Sequence, residues 1–207
     1  TLNQIETAAK VGAEVFFIDA SWYAPPYSNW WSTVGDWEVD WTHWPGGLKP
    51  IRDLIHQKGM LFGSWMDAER IAANCKIRQE HPEWVATAYD GVTPLGDLLD
   101  LTNPDAAAWM EEQICKVIGE NELEFFRLDY NVGGLGAGSC VVRDGYVENS
   151  YWRYYEALYA VYERVRQRFP DVILENCAGG GGRTDLGMVR RFSHTWVTDW
   201  QIAPRAF

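Results

Sequence analysis

One short stretch of the sequence combines an apolar run with the residue types needed for nucleophilic chemistry. Residues 125–131 read Phe-Phe-Arg-Leu-Asp-Tyr-Asn and turn polar at the far end, as a parallel strand does where it delivers side chains to a site. Because side chains alternate along a strand, Arg127 and Asp129 share one face. A guanidinium beside a carboxylate lowers the carboxylate's pKa, which suits a nucleophile. An ion pair that closes the strand end without any chemistry stays open as the alternative.

Further acidic residues recur at or near the ends of the predicted strands. Strands separated by helices run parallel, so their carboxyl ends meet at one mouth. We expect the following residues to converge there: Asp19, Asp67, Asp100, Asp129, Glu175 and Asp199.

Apolar periodicity predicts the elements that position these residues. Strands are predicted at 15–18, 60–65, 98–101, 125–131, 172–175 and 194–197. Helices are predicted at 2–11, 50–59, about 71–80, 103–118, 151–169 and 185–191. This alternation predicts an α/β fold, the (β/α)8 TIM barrel, of which the chain supplies about six of the eight strands. A doubly wound open sheet is the alternative, although the glycines at 179–182 lack the spacing of a dinucleotide or phosphate loop.

The chain is expected to be a single catalytic barrel domain over residues 1–207. Such a barrel typically has about 250 residues. We therefore expect a piece of a longer protein, truncated at both ends and lacking the first and last strands. Its two sheet edges would then need to be covered by something else.

Charge and cysteine content exclude several classes of partner. The net charge of −11 argues against nucleic acid and against an anionic membrane, and it favours a neutral or cationic ligand. The four cysteines are widely spaced and predict neither a zinc site nor a disulfide framework. A cytoplasmic location is the mild preference, with an extracellular one left open because the true N-terminus is not seen.

Tryptophan is the compositional outlier, with 12 residues in the chain. Half of them lie in one Gly/Pro/Ser/Asn-rich stretch, residues 20–47: Trp22, Trp30, Trp31, Trp37, Trp41 and Trp44. Aromatic residues in a loop more often form a binding surface than a core, so this stretch is predicted to bind ligand.

Seven motifs, taken in order, resemble the catalytic barrel of glycoside hydrolase family 36, the α-galactosidases of clan D. They read FIDASW (17–22), GDWEVD (35–40), FGSWMDAE (62–69), LDLTNP (99–104), RLDYN (127–131), ENCAGGGGR (175–183) and TD (198–199). The resemblance covers nearly the whole chain. It implies a TIM barrel and a glycosidase that acts on terminal α-galactosyl residues.

The same resemblance implies roles for individual residues. Asp129 is similar to the family's nucleophile and Asp199 to its general acid/base. Trp65 resembles the pocket aromatic, and Cys177 with the glycines after it resembles the loop beside the sugar's 2-position. The predicted substrate-binding residues are Asp19, Trp22, Trp37, Trp65, Arg127, Asn131, Cys177 and Gly180. No metal or cofactor is expected, the partner is a carbohydrate, and a homo-oligomer is left open.

Two positions depart from the family pattern. Asp19 is followed by Ala20 where the family usually has two adjacent aspartates that bind the O4 and O6 hydroxyls of galactose. Arg127 stands where the family usually has lysine. A buried hydroxyl without its partner costs roughly 1 to 3 kcal/mol. Besides galactose, N-acetylgalactosamine, galactosamine and a pentopyranose without C6 are therefore open as the sugar.

Two carboxylates facing each other fit a retaining glycosidase, in which they stand about 5 to 5.5 Å apart. Asp199 lies between Trp196 and Trp200 in the sequence, and an apolar surround would raise its pKa toward that of a working acid. A helix cap is the alternative role for Asp199. The alternative functions are a magnesium-dependent barrel, with Asp129, Glu175 and Asp199 as ligands, and a sugar-binding barrel that has lost catalysis.

Overall fold

The computed structural model describes residues 1–20, 22–23, 29–88, 90–132, 142–143, 146–147 and 150–200. The helices, including short ones, are α1 (Leu2–Lys10), α2 (Lys49–Gln57), α3 (Lys76–Glu80), α4 (Pro104–Asn121), α5 (Ser150–Arg168), α6 (Ala178–Gly181) and α7 (Leu186–Val189). Trp30–Ser32 and Pro82–Trp84 are 3-10 turns. The strands are β1 (Val15–Ile18), β2 (Leu61–Met66), β3 (Val85–Thr87), β4 (Pro94–Leu99), β5 (Phe125–Leu128), β6 (Val142–Arg143), β7 (Tyr146–Val147), β8 (Ile173–Asn176) and β9 (His194–Thr195).

A five-stranded parallel sheet, in the order β1-β2-β5-β8-β9, forms the centre of the described chain. Each successive strand of this sheet is added to the same side of the strand before it, as in a barrel. A doubly wound sheet instead reverses its direction at a switch point. The register pairs Ile18 with Ser64, Met66 with Leu128 and Leu128 with Asn176, so the residues after these strands share one edge.

The predicted strand at 98–101 is not part of this sheet. It corresponds to β4, which pairs antiparallel with β3. The intervening turn is closed by a hydrogen bond from the Ala88 N–H to the Thr93 carbonyl (2.7 Å) and by the side chain of Asp90. Because an apolar run does not encode its partner, the sequence could not separate this hairpin from a barrel strand. The parallel sheet thus has five described strands instead of six, and the expected place of Asp100 at its edge is wrong.

The helices follow their sequence signals closely. Asn103 caps α4, its side chain accepting from the N–H groups of Asp105 and Ala106, with Pro104 at the first position. Helices α4 and α5 pack on each other and bury Ile114, Ile118 and Leu158. The helix predicted near 71–80 is shorter than expected, since only α3 forms there. Within the described ranges, no helix has the length and apolar content that crossing a membrane requires.

The tryptophan-rich stretch is divided between core and surface. Trp22 and Trp37 are 1% and 3% exposed and stack on each other with ring centroids 6.3 Å apart. Trp41 is 65% exposed. The prediction that the aromatic residues of this stretch form a surface and not a core is therefore wrong for Trp22 and Trp37, because burying two indoles stabilises the loop more than leaving them exposed.

Candidate active site

Asp129 follows β5 directly and is nearly enclosed by hydrogen-bond donors. Its Oδ1 accepts from the backbone N–H groups of Tyr130 (2.8 Å) and Gly179 (2.8 Å). Its Oδ2 accepts from Asn131 Nδ2 (2.8 Å) and Trp65 Nε1 (3.1 Å). The side chain is buried, and its backbone N–H continues the sheet by donating to Met66. The carboxylate is thus held in one orientation at the sheet edge.

The electrostatics of Asp129 follow from these donors. Burial would raise its pKa, yet the hydrogen bonds from Gly179, Asn131 and Tyr130 outweigh burial and hold the pKa below its usual range. A buried carboxylate that stays ionised at neutral pH can act as a nucleophile.

The predicted role of Arg127 in keeping Asp129 ionised is wrong, because Arg127 has other partners. The parallel register places Arg127 opposite Glu175, and the two side chains form an ion pair. Arg127 Nη1 also lies 3.6 Å from Asp19 Oδ2. Glu175 in turn lies 2.6 Å from His194 Nε2. Arg127 therefore links Asp19 to the middle of the sheet.

The segment from Cys177 to Arg183, here called the glycine loop, contacts both predicted catalytic residues. Gly179 donates to Asp129, and Gly180 lies against the backbone and carboxylate of Asp199. The thiol of Cys177 is buried near Asp129; burial and the charge of that carboxylate raise its pKa to about 12. Adjacent residues of one loop therefore contact Asp129 and Asp199.

Asp199 differs from expectation in its surroundings. The predicted apolar surround between Trp196 and Trp200 does not form in the described part of the chain: Asp199 is exposed, and Trp196 faces it with its polar edge. Trp196 Nε1 donates to Asp199 Oδ1 at 2.9 Å. The neighbouring indole thus orients the carboxylate instead of desolvating it.

Asp19 is close enough to both catalytic candidates for their charges to act on it. Desolvation by the surrounding protein is the largest cause of its raised pKa, and the charges of Asp129 and Asp199 add to it, although the side chain is 58% exposed. The hydrogen bond from the N–H of Ala20 (2.7 Å) and the charge of Arg127 oppose the shift. The protonation of Asp19 therefore depends on the charges of Asp129 and Asp199.

Trp65 contacts the catalytic candidate Asp129 through its indole N–H, whereas the described ring contacts of Trp22 and Trp37 lie within the aromatic core. Trp22 donates its indole N–H to the carbonyl of Trp65 (2.8 Å), and Tyr23 stacks on the Trp65 ring at 6.4 Å. Trp22 and Trp37 are buried in the core and stack on each other, and Trp22 bonds the backbone of Trp65; the substrate-binding role predicted for Trp22 and Trp37 stays a prediction.

Two acidic residues after β2, Asp67 and Glu69, were given no role in the predicted site, although Asp67 was expected at the mouth. Asp67 is completely buried, accepts from the Asn131 N–H (3.3 Å), and has its pKa raised to about 7 by burial and by the charge of Asp129. Glu69 is also completely buried and binds Arg183 of the glycine loop. Their alternation after Trp65 in the sequence was the available signal, although the chain turns at Ala68 and Glu69 instead of continuing as a strand.

The partners of Glu175 do not fit the magnesium-dependent alternative, in which Glu175 would bind the metal with Asp129 and Asp199. Glu175 is occupied by Arg127 and His194, so it is not available beside Asp129 and Asp199. Across the residues that the structure describes, no group of three or more His, Cys, Asp or Glu side chains is arranged to hold a metal ion.

Comparison with known proteins gives the family. The sequence model of the melibiase family matches residues 1–203. The chain belongs to the melibiase family. Alpha-galactosidase 2 of Pediococcus pentosaceus is 31% identical over 199 residues, which make up 94% of this chain and 27% of that protein. The melibiase chain thus spans about a quarter of the length of the curated relatives it matches.

Solved structures agree with the melibiase assignment. A variant of the family 36 α-galactosidase AgaA from Geobacillus stearothermophilus, in complex with raffinose, superposes with a TM-score of 0.86 at 27% identity, covering 96% of this chain and 28% of that one. AgaB from the same organism gives a TM-score of 0.85 at 28% identity, with the same coverage. The predicted resemblance to family 36 and the predicted barrel fold class are confirmed.

Proposed function

We propose that the full-length protein is a retaining α-galactosidase-like glycosidase, with Asp129 as nucleophile and Asp199 as general acid/base. The observation that carries the proposal is that the glycine loop contacts both carboxylates, one buried and held ionised, the other exposed. This asymmetry is what a double-displacement reaction needs, since one carboxylate must attack while the other exchanges protons with the leaving group and with water.

In the first step, a carboxylate oxygen of Asp129 attacks the anomeric carbon as the glycosidic C–O bond breaks. Asp199 gives its proton to the departing oxygen, which leaves as a hydroxyl. The product is a glycosyl ester on Asp129. In the second step, Asp199 takes a proton from water, whose oxygen attacks the anomeric carbon and releases Asp129.

The donors around Asp129 balance two requirements. Hydrogen bonds from Gly179, Asn131, Tyr130 and Trp65 keep the carboxylate ionised and aligned. They also make it the better leaving group in the second step, because the same donors stabilise the returning negative charge.

The sugar is proposed to be galactose or a close relative. The AgaA variants are solved with raffinose and with stachyose, which supports an α-galactosyl substrate for a melibiase. In this chain Ala20 offers no side-chain acceptor beside Asp19, and Arg127 is paired with Glu175. Galactosamine, N-acetylgalactosamine and a pentopyranose without C6 are therefore included in the proposal.

The test is hydrolysis by the full-length protein of nitrophenyl α-galactoside, α-N-acetylgalactosaminide and β-L-arabinopyranoside. The anomer formed first is read by proton NMR. We expect turnover of at least one substrate with retention of configuration. Release of the inverted anomer would overturn the mechanism, and binding of these sugars without turnover would indicate a carbohydrate-binding protein instead.

A further inference from the structure

A fully buried polar cluster lies behind the glycine loop, away from the carboxylates themselves. At its centre is Glu69, which is 0% exposed and accepts four hydrogen bonds. Two come from the hydroxyls of Tyr154 (2.5 Å) and Tyr162 (2.9 Å) on α5. Two come from the guanidinium of Arg183, at 3.0 and 2.5 Å. Each carboxylate oxygen of Glu69 therefore accepts two hydrogen bonds from other side chains of the protein.

Arg183 is the residue at which this cluster joins the glycine loop. Its carbonyl accepts from Asn176 Nδ2 at 2.6 Å, which closes the segment between the end of β8 and Arg183. Its guanidinium lies over the ring of Tyr130, 4.2 Å from the centroid. Tyr130 is the residue after Asp129, so Arg183 contacts both the end of β8 and the residue that follows the catalytic candidate.

A bidentate ion pair with this burial is costly unless its geometry is held. Here the two tyrosine hydroxyls fix the carboxylate, and the carboxylate then fixes Arg183. Between the two loop ends lie Gly179, which donates to Asp129, and Gly180, which lies against Asp199. A shift of Arg183 would therefore move the contacts to both carboxylates together.

We propose that Glu69 is a positioning residue that, through Arg183, holds the glycine loop against Asp129 and Asp199. Tyr154 and Tyr162 serve the same role by fixing Glu69. The inference rests on the proposed function only in naming these two carboxylates as catalytic. The anchoring of the loop itself is independent of that function.

The first test is Glu69→Gln in the full-length protein, which keeps the side-chain shape and removes the charge that holds Arg183. We expect kcat/KM to fall roughly 10- to 100-fold, as for a small misplacement of catalytic groups. The acid limb of the kcat/KM profile should move to higher pH, because a displaced Gly179 N–H no longer lowers the pKa of Asp129.

The direction in which the acid limb moves distinguishes a positioning role of Glu69 from a direct effect of its charge on Asp129. Loss of a nearby negative charge alone would stabilise ionised Asp129 and move the acid limb to lower pH. The other charged or titratable groups around Asp129, namely Asp19, Asp67, Arg127 and Cys177, are unchanged in the variant.

A second readout does not need activity. The thiol of Cys177 lies in the glycine loop and is buried, so its alkylation by iodoacetamide reports whether the loop stays in place. We expect its labelling rate, measured by peptide mass spectrometry, to rise at least about 10-fold in Glu69→Gln. Asp97→Asn is the control, since it removes the charge that pairs with Arg70 (2.8 Å) and Arg78 (2.6 Å), and neither arginine belongs to the glycine loop.

Should Glu69→Gln fail to fold, the double variant Tyr154→Phe/Tyr162→Phe decides the matter. It removes both hydroxyls and keeps both rings. We expect changes in the same direction and smaller, with Tyr159→Phe on the same helix as control because that hydroxyl binds Asp185. Unaltered labelling of Cys177, or an acid limb that stays in place or moves to lower pH, would overturn the proposal. A labelling change without Asp129-dependent turnover would instead count against the proposed function.

Discussion

Gly180 lies directly against Asp199: a β-carbon at position 180 would stand 2.9 Å from the Asp199 carboxyl carbon and 2.7 Å from its backbone nitrogen. Gly180 also has a φ of +82°, a conformation that side chains disfavour. The preceding residue, Gly179, donates to Asp129 at 2.8 Å. Two consecutive glycines, Gly179 and Gly180, therefore contact the two carboxylates. The close contact with Asp199 is possible only because residue 180 has no side chain.

Replacing Gly180 tests this spacing. In Gly180→Ala, the methyl group should push Asp199 away and lower kcat/KM roughly 100-fold. Gly12→Ala is a matched control, because Gly12 has a φ of +80° with nothing within 4 Å of its added Cβ. The control should lose only about 1 kcal/mol of stability and keep its activity. Activity in Gly180→Ala equal to that of the control would show that the spacing is not needed.

Removing the proposed nucleophile should be partly reversible. Asp129→Ala is expected to reduce turnover by at least about 1,000-fold and to leave room for a small anion. Added azide should restore part of the rate and give the glycosyl azide of inverted configuration, identified by NMR. Normal activity in Asp129→Ala would place the nucleophile elsewhere.

Asn131 should set the lower pH limit of activity. Its Nδ2 donates to Asp129 Oδ2 at 2.8 Å and contributes to the lowered pKa. Asn131→Ala should therefore move the acid limb of kcat/KM to higher pH. Asn121→Ala, which removes a hydrogen bond to the Val117 carbonyl (2.9 Å) within α4, should leave the profile unchanged. An unchanged acid limb in Asn131→Ala would contradict the role given to this donor.

Asp67 should make the stability of the protein depend on pH. Burial, and next the charge of Asp129, raise its pKa to about 7. The carboxyl group of an aspartate in the unfolded chain has a pKa of about 4. Between this value and about 7 the folded state binds more protons than the unfolded state, so stability falls as pH rises. We expect Asp67→Asn to increase the free energy of unfolding by roughly 1 to 3 kcal/mol at about pH 8 and to change it little at about pH 4.

Asp90→Asn provides a control of opposite sign for that experiment. The pKa of Asp90 is lowered to about 2 by hydrogen bonds from Thr93 and Val92, so its replacement should reduce stability at about pH 8. Thermal midpoints of the three proteins at both pH values provide the measurement. A drop in the midpoint of Asp67→Asn at about pH 8 would mean that Asp67 is stabilised by partners as an ion.

Local signals in the sequence were sufficient to predict much of the scaffold. Asn103 followed by Pro104 predicted the start of α4, and the apolar run ending in Asp129 predicted a parallel strand that delivers a carboxylate to the sheet edge. These features depend on neighbours within a few residues, such as a capping side chain, a fixed φ or alternation along a strand. The sequence alone was therefore enough for the fold class and for the position of Asp129.

Features that depend on register and on long-range contact required the tertiary structure. Arg127 pairs with Glu175 instead of Asp129 because those residues stand opposite each other in β5 and β8. The strand β4 pairs with β3, although its apolar pattern equally fits a barrel strand. Glu69 reaches Arg183 across 114 positions of sequence. An alternating pattern specifies which face a side chain takes, but which partner it meets is decided only when strands align and helices pack.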